Sequence, residues 1–444
     1  MSLKIFLTDS AYTLSRQIIG AALSLLTSIF LARLLGAEGI GIYNLVTLLP
    51  VMAYSFLNLG AADGIVYAVG KNRNTQKDQA SSITWLALVL GVIGFLVSAL
   101  VVATTSNRLF PGIPQQLLYL ITFIIPIYFL VFFYKSFFQG LQDFIAFNLI
   151  PIIIASSNLI LLVALVFPIE RKAFFAIIAW MMSYTIILFI IPYFSTSVRW
   201  SDYFKPRQDK AFIRRIFGFG IRAHPGNLAT FLSDRMDRYL LNFFLSPSEV
   251  GIYIIAVGLA EKLWMLSTAV GVVLFPRIAE SGEHESIRRK LTVTVARTVL
   301  WATMLMGILL ALFSRPIIRV LYGESFMRAA GAILVLLPGV VLFSVSRTIS
   351  SDISGRGRPE INSILAIVMV VFNLTLNMIF IPRQGMLGAA LAATLTYSVS
   401  AIVKLIIITK MARISILEII MLKRSDISRI VTLVKDLLRA RSRS

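Results

Sequence analysis

Ser233-Asp234-Arg235-Met236-Asp237-Arg238 lies inside a hydrophobic stretch that runs from Ile216 to Leu245. After a break at Ser246-Pro247-Ser248, a second apolar segment continues to Pro276. No other apolar segment of the chain holds charge so densely. Wound as a helix at about 100° per residue, the first segment sorts its side chains. Arg222, Gly226, Asn227, Thr230, Ser233, Asp234, Asp237 and Arg238 fall on one side, and Ile221, Leu228, Leu232, Met236, Tyr239 and Phe243 on the other. A water-soluble amphipathic helix has the same pattern. The neighbours decide otherwise, because each is long enough to cross a bilayer at about 1.5 Å per residue. Intramembrane charge is costly and turns toward protein or water. The stretch therefore reads as a membrane helix that lines a polar cavity.

Composition agrees. Of 444 residues, 58% are hydrophobic and only 14% charged, where a soluble protein carries about 25% charged residues. This predicts an all-α, polytopic membrane protein. The net charge of +21 does not point to nucleic acid, because most basic residues lie between apolar spans, where positive-inside topology accounts for them. Without cysteine, disulfides and thiolate metal sites are excluded. The apolar run after Asp9 and Arg16 extends to Leu35 with no small-residue cleavage site and reads as a first membrane helix.

Twelve spans are predicted: 17–35, 42–69, 82–104, 116–138, 148–167, 173–194, 216–245, 250–276, 291–313, 329–351, 361–382 and 386–410. Lys71, Arg73 and Lys77 follow the second, Arg199 to Arg215 the sixth, Arg277 to Lys290 the eighth, and Arg356 with Arg358 the tenth. The odd-numbered connections are poorer in cations, which puts both termini in the cytoplasm. The predicted organisation is a six-helix bundle over 1–195, a cytoplasmic linker over 196–215, a second bundle over 216–411 and a basic tail over 412–444. In the tail, Ile427, Ile430, Val431, Val434, Leu437 and Leu438 follow helical spacing among arginines. They read either as a helix on an anionic leaflet or as a basic disordered tail.

The halves echo each other. Gly41-Ile42-Tyr43 recurs 210 residues later as Gly251-Ile252-Tyr253, and Asn148 and Pro168 recur 214 residues later as Asn362 and Pro382. Six spans per half is an even number, so both halves enter the membrane in the same sense. That predicts a pseudo-two-fold axis along the membrane normal, with the working site between the halves. Only the second half carries the charge cluster: Asp234 and Arg238 correspond to Ser24 and Ser28.

Several short motifs, in order, then become recognisable. Ala32-Arg33-Leu34-Leu35-Gly36-Ala37-Glu38-Gly39-Ile40-Gly41-Ile42-Tyr43 resembles the first loop of polysaccharide transporters, a branch of the multidrug/oligosaccharidyl-lipid/polysaccharide exporter superfamily. Asp234-Arg235, Glu249-Val250-Gly251-Ile252-Tyr253 and Phe275-Pro276 resemble its seventh and eighth helices. Gln139-Gly140, Ser354-Gly355-Arg356-Gly357 and Gly385-Met386-Leu387-Gly388-Ala389-Ala390 resemble later landmarks. The resemblance implies two six-helix bundles with alternating access, flipping a polyprenyl-pyrophosphate-linked oligosaccharide from the cytoplasmic to the outer leaflet of the plasma membrane.

On this reading the anion is met by Arg16, Arg222, Arg235, Arg238 and Lys262, since arginine stays charged and donates in a fork. The bland alternative is an internal ion pair, because Asp234 and Arg238 sit four apart. Asn373 and Asn377 share a helix face. With Thr394, Asp63, Asp234 and Asp237 they offer oxygen ligands and charge. Certain lipid-II-flippase relatives place a sodium site among corresponding helices, which implies coupling to a sodium or proton gradient; helix-to-helix hydrogen bonding is the alternative. There is no nucleotide-binding Gly-Lys loop, no HExxH and no cysteine nucleophile, so no enzyme signature survives. No bound cofactor is expected. The expected partners are the lipid-linked oligosaccharide, membrane lipids and polysaccharide-assembly enzymes. A cation-coupled drug exporter and an integral-membrane enzyme of polysaccharide assembly stand as the competing readings.

Overall fold

The computed structural model describes residues 3–71, 76–166, 172–194, 200–203, 209–280 and 284–421. Its regular structure over these residues is helical: α1 (Leu3–Leu57), α2 (Ala61–Lys71), α3 (Gln76–Leu109), α4 (Gln115–Thr122), α5 (Ile125–Leu141), α6 (Phe144–Val166), α7 (Lys172–Ile190), α8 (Trp200–Tyr203), α9 (Lys210–Phe244), α10 (Pro247–Ala260), α11 (Trp264–Glu280), α12 (Glu285–Leu321), α13 (Ala329–Gly355), α14 (Pro359–Gln384), α15 (Met386–Ala412) and α16 (Ile416–Ile420). Apolar sequence in a bilayer must satisfy its backbone groups internally, and the helix does so within one segment.

A helix stands at each of the twelve expected positions. Among the described residues nine are long and apolar enough to cross a membrane, or ten if α4 and α5, bent by 45°, form one span. The chain is a multi-pass membrane protein. α1 runs through a kink at Gly36, whose φ is 68°, and so joins two expected spans. The helix α9 is not among these nine; it carries the charges of Arg222, Asp234, Arg235, Asp237 and Arg238.

Two expected spans are broken. The segment over 42–69 is interrupted after Leu57, where Leu59 and Gly60 take φ of 50° and 74°. Asn58 holds this turn by accepting from the Gly60 amide at 2.8 Å. The segment over 250–276 passes through a 3₁₀ turn at Glu261–Leu263. Helix starts are capped as their sequences allow: Asp143 accepts from the amides of Ile145 and Ala146, and Asp209 from those of Ala211 and Phe212.

The chain packs as two compact units. The first comprises Met1–Ile255, Ile317–Ala329 and Asn377–Ala389. Its core is filled by Phe129, Phe133, Phe137 and Phe138, all fully buried. Glycines let its backbones meet: a methyl built on Gly60 would fall on the carbonyl of Gly220, which seats α9 on α2. Arg33 closes the end of α12 by donating to the carbonyls of Leu321 at 3.0 Å and Val320 at 2.5 Å.

The second unit comprises Ala256–Pro316, Ala330–Leu376 and Ala390–Ser444. Val293, Ala296, Val345, Ile349, Ile353, Ile408, Ile414 and Ile419 form its buried cluster. Asp352 is fully buried, receives Thr292 at 2.7 Å and pairs with Arg356 at 2.6 Å, which also reaches Glu285 at 2.8 Å. α16 is held by Arg297, donating to the carbonyls of Glu418 and Met421, and by Trp301, donating to that of Ile420. The tail residues from 422 on, with the amphipathic pattern expected there, lie outside the described residues. The units are defined by packing and cut across the sequence halves, since α9 belongs with the first.

Candidate functional site

Asp209 caps the start of α9, and Pro225 lies inside the helix. Proline has no amide hydrogen, so the carbonyl of Ile221 loses its helical partner. One turn beyond Arg222 the helix therefore has room to bend, and there it meets α2: Asn227 donates to Asp63 at 2.5 Å. Arg222, Asn227, Thr230 and Asp234 are exposed. Ile221 and Phe243 are exposed too, 58% and 46%, so the apolar arc ends on the outside of the helix.

Asp237 is turned inward, with 9% of its surface exposed. It accepts from the Tyr253 hydroxyl at 2.9 Å and from the amide of Arg238 at 2.7 Å. Arg235 and Arg238 both act electrostatically on this carboxylate. Arg238 is half-buried, and its Nε is buried without a hydrogen-bond acceptor.

Arg235 faces an aromatic group. Its charge acts on the Tyr128 hydroxyl, and Tyr128 sits 5.6 Å from Tyr54, 4.5 Å from Phe132, 5.1 Å from Tyr184 and 6.1 Å from Trp180, centroid to centroid. Asp63 acts electrostatically on Tyr54 of the same group. The first unit thus brings together Asp63, Arg235, Asp237 and Arg238 with a wall of rings. Cationic groups and hydroxyl-bearing rings suit an anion joined to a sugar, through forked hydrogen bonds and stacking.

Other expected residues fall elsewhere. Lys262 lies in the second unit, in the 3₁₀ turn, half-buried beside Glu261. Arg16 lies on α1, and its side chain is outside the described ones. Asn373 is 4% exposed and Asn377 fully buried on α14. Asn373 donates to Thr396 at 3.2 Å, whereas Thr394 donates to the Val335 carbonyl at 2.6 Å. Among the described residues no group of three or more His, Asp or Glu could hold a metal ion. Sequence reasoning quoted Tyr253 only as part of a repeated motif and gave it no role, and it missed the Tyr54–Tyr128–Tyr184 group, which is gathered from α1, α5 and α7. It placed Asn227 on the polar arc without giving it a role.

The family described as Polysaccharide biosynthesis protein matches residues 6–282. An uncharacterized membrane protein of Methanocaldococcus jannaschii is 27% identical over 203 residues, 45% of this chain and 40% of that protein. A probable low-salt glycan biosynthesis flippase of Haloferax volcanii is 25% identical over 193 residues, again 40% of its own length. The chain therefore spans well under half of these relatives. A putative O-antigen transporter of Shigella flexneri is 22% identical over 399 residues, 87% of this chain and 93% of that protein. Among solved structures, lipid II flippase MurJ in an inward closed conformation superposes with a TM-score of 0.72 at 14% identity, covering 90% of this chain and 87% of its own. An inward-facing multidrug resistance transporter of the MATE family gives 0.67 at 16% identity, covering 89% and 94%. These likenesses establish the fold.

Proposed function

The chain belongs to the polysaccharide biosynthesis protein family of the multidrug/oligosaccharidyl-lipid/polysaccharide superfamily, and from that premise we propose that it flips a polyprenyl-pyrophosphate-linked oligosaccharide from the cytoplasmic to the outer leaflet of the plasma membrane. The observation that carries the reading is Arg238: a half-buried guanidinium, its Nε without an acceptor, beside a buried aspartate that is already engaged by Tyr253. A cation at membrane depth with a buried donor left without an acceptor is a functional group by default. The pyrophosphate supplies the missing acceptors, and a fork of N–H donors suits it better than a point charge. Arg222 and Arg235 serve the same anion, and Arg16 and Lys262 assist.

The lipid tail stays in hydrocarbon while the charged head crosses along protein groups. The arginines read the pyrophosphate common to all such lipids, and the rings around Tyr128 hold the sugar. Asp237 orients the arginines and limits positive charge when the site is empty. The energy comes from a sodium or proton gradient, sensed by Asp63, Asp234, Asp237, Asn373, Asn377 and Thr394. The finer architecture is twelve spans with both termini cytoplasmic. Residues 1–195 and 216–411 are topological repeats, 196–215 is a cytoplasmic linker and 412–444 a membrane-surface tail. Enzymes that polymerise or transfer the sugar consume the product. A drug exporter has no need of so basic a site.

The test is reconstitution in vesicles with a fluorescent polyprenyl-pyrophosphate sugar. Protein-dependent loss of the label from one leaflet, absent for the same lipid without sugar-pyrophosphate, supports the reading. Transport of cationic dyes but not of the anionic lipid overturns it.

A further inference from the structure

The second unit carries another pair of cations that α9 does not explain. Lys404 on α15 is 8% exposed. Its ammonium donates to Ser350 Oγ at 2.6 Å and sits 5.9 Å from the centre of the Phe343 ring. Arg347 on α13 donates to Thr268 Oγ1 at 3.1 Å and places its guanidinium carbon 5.4 Å from the Trp264 ring. Trp264 is fixed by its own N–H, which donates to the Val340 carbonyl at 3.1 Å. The rings of Trp264, Phe343 and Tyr397 meet at 4.8 to 5.2 Å.

The two cations are close enough for Arg347 to act repulsively on Lys404. Among the described residues no carboxylate oxygen lies within 4 Å of either. Their partners are two hydroxyls and ring faces, which relieve cationic charge only in part. Intramembrane cations normally pair with acids or carbonyls, and the nearby Arg356 shows that pattern, with Asp352 and Glu285 as partners. Arg347 and Lys404 break it. Arg347, Trp264, Phe343 and Tyr397 are only half-buried, so a ligand can reach the pair.

We propose that Arg347 and Lys404 form a second anion site, which takes a phosphate or diphosphate ester, with Trp264 and Tyr397 as the stacking wall for the group attached to it. Arg347 offers two donors in one plane and Lys404 a point charge from another helix, so one phosphate is gripped from two directions. The inference deepens the flippase reading only in naming the substrate lipid as one source of the anion. The site itself stands on the geometry of this unit, and an affinity measurement tests it without any flipping.

The experiment uses the full chain in detergent, in a background carrying Arg222→Gln, Arg235→Gln and Arg238→Gln so that these α9 arginines contribute nothing. Binding of inorganic pyrophosphate and of farnesyl diphosphate is measured by calorimetry, with melting temperature alongside. Both ligands are expected to bind, and Arg347→Gln and Lys404→Met are each expected to weaken binding about tenfold or more, while Arg347→Lys keeps most of it. Where Lys404→Met does not fold, Lys404→Gln and Arg347→Gln carry the test. Competition with phosphatidylglycerol separates the sources: displacement by it assigns the site to membrane lipid, and resistance assigns it to the diphosphate lipid. No binding in the background protein, or unchanged affinity in folded Arg347→Gln and Lys404 variants, overturns the site. Absence of flipping by the unaltered protein, with anion binding intact, would count against the flippase reading and leave this site standing.

Discussion

Arg238 and Asp237 show how neighbouring residues on one helix take opposite fates. Asp237 is buried with two donors, and Arg238 keeps a buried Nε without an acceptor. If the arginines bind pyrophosphate, Arg222→Ala and Arg238→Ala should each cut flipping by about tenfold to a hundredfold in folded protein, because a charge-assisted bond is lost. The lysine replacements should keep partial activity, since charge remains without the fork. Full activity of both alanine variants, singly and together, would remove these residues from the mechanism. Tyr253→Phe tests the support beneath them. It strips Asp237 of its hydroxyl donor and should destabilise the protein by about 1–3 kcal/mol, read as a lower melting temperature, with turnover falling further than anion affinity. An unchanged melting temperature would mean that water replaces the hydroxyl. Sequence alone made Asp237 and Arg238 visible, because charge in apolar context is conspicuous. It could not show Tyr253, since a tyrosine in an apolar run looks the same whether it packs or donates.

Elements meet here through small residues and a few buried ions. A methyl on Gly60 would strike the Gly220 carbonyl, and one on Gly41 the Pro247 carbonyl. These are backbone contacts, which cannot step aside as a flexible side chain can. Gly220→Ala should therefore force α9 off α2 and lower the melting temperature, whereas Gly218→Ala, with open space around its site, should leave it unchanged or slightly raised through helix propensity. Equal effects of the two would mean that the close approach is not needed. Between α12 and α13 the bond is ionic. Burial alone would push the Arg356 guanidinium down, but Asp352 and Glu285 outweigh it, and its pKa ends above the ordinary arginine value. Removing this partner from fully buried Asp352 should cost about 3–5 kcal/mol, so Arg356→Ala should melt far earlier than Glu285→Ala, whose carboxylate is half-exposed. The positions of the helices were legible, because apolar length sets them. Their breaks at Gly60 and at Glu261–Leu263 were not, because a turn inside an apolar run is decided by the partner packed across it.

At the scale of the molecule, two motifs that the sequence pairs as copies touch directly. Gly41 packs on the turn before Gly251, and a methyl on Gly251 would meet the Ala37 carbonyl, so the two Gly-Ile-Tyr copies lie against each other. The all-helical membrane class was legible because repeated apolar segments leave few alternatives in lipid. The ion site was legible only as residue types, since Asn, Thr and Asp serve equally as ligands and as ordinary helix-to-helix bonds. The structure joins Asn373 to Thr396, Thr394 to the Val335 carbonyl and Asp63 to Asn227. A coupling ion must be bound and released in step with the substrate, so its ligands should include a carboxylate on an element that contacts α9. Asp63 meets that condition: it lies on α2 and bonds to α9 between Arg222 and Arg238. Binding a cation there would weaken the Asn227 bond and leave α9 freer to move with its anion. In vesicles with an imposed sodium or proton gradient, one of the two should accelerate flipping several-fold. Asp63→Asn, which keeps the hydrogen bond but removes the charge, should abolish that acceleration while retaining slow, gradient-independent flipping. Asn377→Ala should reduce the ion response without changing which ion acts. Flipping that ignores both gradients in wild type and variants alike would reduce Asp63 to a structural hydrogen bond between two helices.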